Sequence, residues 1–196
     1  IHIVDERLQT LLHLASRNKA LKSLELLLLL GLDPNIGDKY GETPLHIASY
    51  MGNIEMIEML LNNKADPNHR NKTFQTPLHK AAHKGSVKSL EMLLKYKADI
   101  FAVDENLTSV MQFAVRSKKI KAVQFLVQKK AIVNSLNIRQ ASTLHYAASF
   151  STVAIVRYLI ELGINPYSKN NYQLTPLHIA VEHPDFGMVE TFIEYG

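Results

Sequence analysis

Cysteine is absent from this chain of 196 residues, and that absence removes disulfides, thiolate metal sites and cysteine nucleophiles together. Glycine is sparse and scattered, eight residues in all. No glycine-rich loop can cradle a phosphate, and no Gly-x-Ser-x-Gly elbow presents a nucleophilic serine. A strong charge imbalance is also lacking: 22 Lys and Arg against 18 Asp and Glu leave a net charge of +4, too little to argue for nucleic acid. The longest apolar run, Leu26 to Leu30, falls far short of the roughly 20 residues that cross a bilayer, so no membrane span is expected. Ile1 to Gln9 carry Asp5, Glu6 and Arg7 and do not read as a secretory leader. What the chain does have is 46% apolar residues, enough to bury a core and too many for disorder. It opens without a methionine and stops at Gly196 in mid-pattern, so it reads as part of a longer protein.

A period of 33 residues organises the whole chain. The tetrads Thr10-Leu11-Leu12-His13, Thr43-Pro44-Leu45-His46, Thr76-Pro77-Leu78-His79, Ser109-Val110-Met111-Gln112, Ser142-Thr143-Leu144-His145 and Thr175-Pro176-Leu177-His178 follow one another with no insertion. An alanine recurs in the same register at Ala15, Ala48, Ala81, Ala114, Ala147 and Ala180. Thr or Ser before the first helical turn is an N-cap type, and proline behind it stands where no amide donor is missed. Leu45 and Ala48 then start an apolar stripe on a short helix that Gly52 closes. Ile54, Met56, Ile57, Leu60 and Leu61 have the spacing of a second amphipathic helix. The stretch from Leu32-Asp33-Pro34-Asn35 to Asp38-Lys39-Tyr40-Gly41 has turn chemistry. Each unit is thus helix, turn, helix and protruding loop, and stacked neighbours bury what one unit cannot.

These residues resemble the ankyrin repeat family, over residues 5–196 and six units. The Thr-Pro-Leu-His tetrads and the turns at Ala65-Asp66 and Ala98-Asp99 carry the likeness, with Gly31-Leu32-Asp33 as a variant. The resemblance implies an all-α solenoid of paired antiparallel helices with β-hairpin loops, one domain over 1–196. It also implies a non-catalytic scaffold that binds a partner protein through a concave face and hairpin fingers. In an enzyme, a channel or a pathogen effector, the same array would be a targeting or regulatory arm. The expected compartment is intracellular, cytoplasmic or nuclear.

Several departures carry expectations. The fourth unit lacks both the proline and the histidine, and Lys118 stands where Gly52 and Gly85 stand; this reads as tolerated drift, or as a local bend or a specialised contact. Gly41 is replaced in register by Leu8, Phe74, Leu107, Gln140 and Gln173. If the position needs positive φ, a side chain there costs on the order of 1 kcal/mol, and altered turn geometry is expected in those fingers. Pro184 replaces the helix-closing glycine of the last unit. The run Leu26 to Leu30 reads mostly as core of the second helix, with a small exposed patch at Leu29 and Leu30, on its outer end, as the alternative.

The remaining chemistry points to frame rather than catalysis. His13, His46, His79, His145 and His178 share one repeat position, so a ring bonded to neighbouring backbone is expected, not a metal centre. His79 and His83 lie four apart but have no third ligand. Carboxylates are scattered over exposed positions, so no catalytic residue, cofactor or small-molecule substrate is assigned. The sequons Asn71-Lys72-Thr73 and Asn106-Leu107-Thr108 fall in fingers and read as coincidence.

Residues free to vary within a fixed frame are the ones free to recognise a partner. They are Tyr40, Tyr50, Met51, Lys72, Lys80, Lys84, Arg116, Arg139, Phe150 and Tyr172, rich in the aromatic and arginine side chains that anchor interfaces. Residues 72–139 carry 13 Lys and Arg against 4 Asp and Glu, between two mildly acidic ends. A partner with an acidic segment fits that centre. Nucleic acid or anionic lipid fits it less well.

Overall fold

A Thr or Ser at each tetrad holds an extended φ/ψ and the next residue turns helical, so six short first helices start where the caps stand. The structure is a computed structural model that describes residues 4–182 and 186–195; Pro184 lies outside the described residues. The chain divides into two compact units, residues 1–105 and 106–196. In the first, α1 (Leu11–Arg17), α3 (Pro44–Met51) and α5 (Pro77–Lys84) pack side by side, and α2 (Leu21–Leu29), α4 (Ile54–Asn62) and α6 (Val87–Lys95) line up behind them. In the second, α9 (Thr143–Phe150) packs between α7 (Val110–Arg116) and α11 (Pro176–Ala180). Behind it, α10 (Val153–Glu161) touches α8 (Ile120–Gln128) and α12 (Phe186–Glu194). The order helix, turn, helix, loop matches the sequence reading among the described residues.

The period sets the core. Ala48, Ala81, Ala114, Ala147 and Ala180 are fully buried and Ala15 nearly so, because first helices this close leave room for a methyl group and no more. Leu12, Leu45, Leu78, Met111 and Leu144 are buried beside them. On α2 and at its C-cap, by contrast, Leu26, Leu29 and Leu30 face outward, Leu29 with 78% of its surface open, and only Leu28 of the run is buried. The reading of this run as mostly core is therefore corrected: it carries an exposed apolar patch.

Backbone strain follows the same period. Among the described residues, the ten non-glycine and five glycine residues with positive φ occupy only three repeat positions. Lys19, Gly52, Gly85 and Lys118 close first helices. Gly31, Lys64, Lys97, Lys130 and Gly163 close second helices. Leu8, Gly41, Phe74, Leu107, Gln140 and Gln173 sit at finger tips. The expectation of altered turns at the glycine-less fingers is therefore corrected: these side chains are held at φ 55 to 62°, close to the 74° of Gly41, and the turn is kept. Lys118, at φ 62°, likewise takes the left-handed conformation of Gly52 and Gly85 at the same register position. Ser151 does depart, with an extended backbone, and its Oγ donates to the Val115 carbonyl (3.0 Å).

The reason the turns survive is, in five of the six fingers, a side chain three residues before the tip. Asp38 Oδ1 accepts the amides of Tyr40 (2.9 Å) and Glu42 (3.0 Å). Asp5, Asn71, Asn137 and Asn170 do the same in their fingers. Two charge-assisted or amide hydrogen bonds, each worth about 1 kcal/mol or more, outweigh the strain of one side chain in the left-handed region. Each finger then hydrogen-bonds its neighbour through a single backbone contact, Lys39 N–H to Arg7 C=O and Lys72 N–H to Tyr40 C=O, both 2.9 Å.

Candidate functional site

The helix caps explain the histidines. The Thr43 amide donates to His46 Nδ1 (3.1 Å), so the proton sits on Nε2, which donates to the Gln75 carbonyl of the next repeat (3.0 Å). His13 and His145 reach the Glu42 and Leu174 carbonyls in the same way, at 2.7 and 2.9 Å. Burial pushes the His46 pKa down to about 4 and lowers those of His13 and His145, so these rings are neutral spacers at pH 7. Gln112 replaces the ring with no loss of function in the frame: Oε1 accepts the Ser109 amide (3.1 Å), and Nε2 donates to the Ser135 (3.0 Å) and Ala141 (3.3 Å) carbonyls. Asn71, in one of the two sequons, is buried and its amide nitrogen donates to Glu42. Among the described residues no group of three or more His, Asp or Glu is placed to hold a metal ion, and no helix is long and apolar enough to cross a membrane.

In the first unit, four of the expected contact residues come together. Tyr40, Tyr50, Met51 and Lys80 line a cleft of about 490 Å³, whose other walls are Arg7, Gln9, Arg17, Asp38, Glu42 and Ile47. The two tyrosines are half exposed. Tyr50 stacks on His83 with ring centroids 6.0 Å apart, and the Lys39 ammonium lies 4.9 Å from the Tyr40 ring. Lys80 reaches the cleft floor and pairs with Glu42 at 2.7 Å. Lys72 and Lys84 are exposed but do not line this cleft.

In the second unit, Arg116 and Phe150 meet: the guanidinium sits 4.8 Å from the Phe150 ring and 6.0 Å from Phe113. Tyr146 lies beside Phe150, centroids 6.1 Å apart. Arg139 and Tyr172 stand exposed on neighbouring fingers, joined by the Asn171 amide donating to the Arg139 carbonyl (2.9 Å).

Sequence reasoning missed Arg7 and Arg17. The signal for both was the period itself, because Arg7 lies one repeat before Tyr40 and Arg17 one repeat before Tyr50. It also missed the buried Gln9 that holds Arg17: Arg17 Nη1 donates to Gln9 Oε1 (3.0 Å), and Gln9 Nε2 donates to Asp38 Oδ2 (3.3 Å).

A family model described as ankyrin repeats in three copies matches residues 1–71 and 111–196. A second, described as ankyrin repeats in many copies, matches 55–94 and 78–127. No curated protein matches the chain. Among solved structures, the human ASB11 ankyrin repeat domain is similar with a TM-score of 0.86 at 24% identity, over 96% of this chain and 84% of that one. At that identity the likeness concerns the fold.

Proposed function

The chain belongs to the ankyrin repeat family, whose repeats are generally non-catalytic protein–protein interaction modules, and from that premise we propose that it binds a partner protein through its first-helix ends and fingers. The observation that carries this reading is the first-unit cleft, where Tyr40, Tyr50, Met51 and Lys80 converge with two half-exposed aromatic rings at its mouth. Aromatic side chains supply large contact area for little lost rotamer entropy, which is why they anchor interfaces. The backbone that presents them is fixed by the caps and by the Asp38 turn, so binding orders little that is not already ordered. The Arg116–Phe150 pair, Arg139 and Tyr172 form the corresponding contact set of the second unit, and Lys72 and Lys84 add positive charge for an acidic partner segment. In this reading the expected concave face comprises these first-helix ends and fingers, whether the array stands alone or serves as the targeting arm of a larger protein.

The test is capture of a partner from lysate, followed by calorimetry with the purified partner against wild type and a Tyr40→Ala/Tyr50→Ala variant. Affinity lost at least tenfold in the variant, with unchanged thermal unfolding, supports the proposal. Equal affinity for both refutes it. Affinity that falls as a steep power of salt and ignores the tyrosines would point to nucleic acid.

A further inference from the structure

Resting on that reading, we infer that the first-unit cleft takes a peptide segment of the partner in which a single carboxylate stands next to a large apolar side chain, with Arg17 and Arg7 holding the carboxylate. Charge complementarity carries the argument. Three cations line the cleft, Arg7, Arg17 and Lys80, against two carboxylates, Asp38 and Glu42. Both carboxylates are already engaged. Asp38 accepts two backbone amides on Oδ1 and the Gln9 amide on Oδ2, and Glu42 accepts Lys80 and Asn71. Lys80 is engaged with Glu42. Arg7 and Arg17 are in no ion pair: both are exposed, and among the described residues neither comes within ion-pair distance of a carboxylate, while Asp5 attracts both from longer range.

Arg17 is also held in place. Its Nη1 rests on Gln9, a side chain only 3% exposed that is itself fixed by Asp38. A guanidinium with one nitrogen anchored keeps its remaining donors aimed outward, and a planar fork of donors matches a carboxylate two-pronged. The lining has one cation more than it has carboxylates, and Asp5, outside the lining, already attracts both arginines, so the cleft has room for one further negative charge at most, that of a monoanion. A phosphate dianion would face Asp38 and Glu42 across the same space with charge left over, and like charges at close range are costly. Beside the arginines, Ile47, Met51 and the two tyrosine rings give an apolar wall. A cleft of about 490 Å³ falls in the size range of sites that enclose a ligand. The apolar neighbour of the carboxylate fits there.

The experiment is selection of a phage-displayed random dodecapeptide library on the wild-type protein. Anisotropy titration of the enriched peptides against wild type, Arg17→Gln, Arg7→Gln and Tyr40→Ala/Tyr50→Ala follows. Enriched peptides should share Asp or Glu within two positions of an aromatic or long aliphatic residue, and should bind Arg17→Gln about tenfold or more weakly. Both arginine side chains are exposed, so matched unfolding curves separate lost contact from lost fold. Peptides that lack an acid, or acidic peptides that bind Arg17→Gln and Arg7→Gln as well as wild type, overturn the inference. If such peptides still need the tyrosines, the protein-binding cleft stands and only its carboxylate chemistry falls. Peptides indifferent to the tyrosines, or no enrichment at all, count against both.

Discussion

Acid should loosen this fold through its buried histidines, and His46 gives the size of the effect. In the folded chain burial holds its pKa at about 4, against an ordinary 6.5. Above that ordinary value the ring is neutral whether folded or not, and no penalty arises. As pH falls below it, the unfolded chain takes up a proton that the folded ring refuses, so stability is lost from about pH 6.5 down to about 4 and not beyond. At about pH 5 the loss from His46 alone is roughly 2 kcal/mol, and His13 and His145 shift in the same direction. The chain contains its own control, since Gln112 makes the same two kinds of hydrogen bond without titrating. His46→Gln should therefore keep the Thr43 amide and the Gln75 carbonyl satisfied, and leave stability at neutral pH within about 1 kcal/mol of wild type. Urea unfolding followed by circular dichroism, at about pH 7.5 and about pH 5, reads both quantities. The acid loss should shrink by roughly 2 kcal/mol in the variant. Parallel losses in the two proteins would refute the assignment of the acid sensitivity to this ring.

Three further outcomes follow from the strained positions and their supports. Lys118→Gly relieves a side chain held at φ 62° and should raise the urea midpoint by the equivalent of about 1 kcal/mol. Gly41→Ala should lower stability by about 1–2 kcal/mol, since its φ is 74° and a Cβ there would stand 3.0 Å from the Lys72 amide nitrogen; thermal unfolding measures it. Asn137→Ala removes the acceptor of the Arg139 and Ala141 amides and should cost about 1–3 kcal/mol, with faster hydrogen exchange at those two amides as the local readout.

The frame was legible in the sequence because its determinants repeat at fixed spacing and act locally. Thr43 and Pro44 start a helix whatever surrounds them, Gly52 ends one, and Ala48 can be packed only where another helix lies close. The role of His46 was legible for the same reason, since five copies at one register position argue for geometry over chemistry. The finger turn at Phe74 was less legible, because what holds it is not a glycine at the tip but the Asn71 side chain three residues before it. The cleft was half legible. Tyr40, Tyr50, Met51 and Lys80 stand out as variation within the frame, but no spacing rule says that Lys80 spends its charge on Glu42 or that Gln9 anchors Arg17. The first is a contact across repeats, and both depend on side-chain reach in three dimensions.

The finger tips separate shape from identity. Asp38 or Asn71 dictates the bend from three residues away, so the residue at the tip can be leucine, phenylalanine or glutamine while the bend stays the same. A lineage carrying such loops can change what its surface recognises one residue at a time without rebuilding the support beneath it. In that sense the acidic or amide side chain behind each tip is what makes the surface free to evolve.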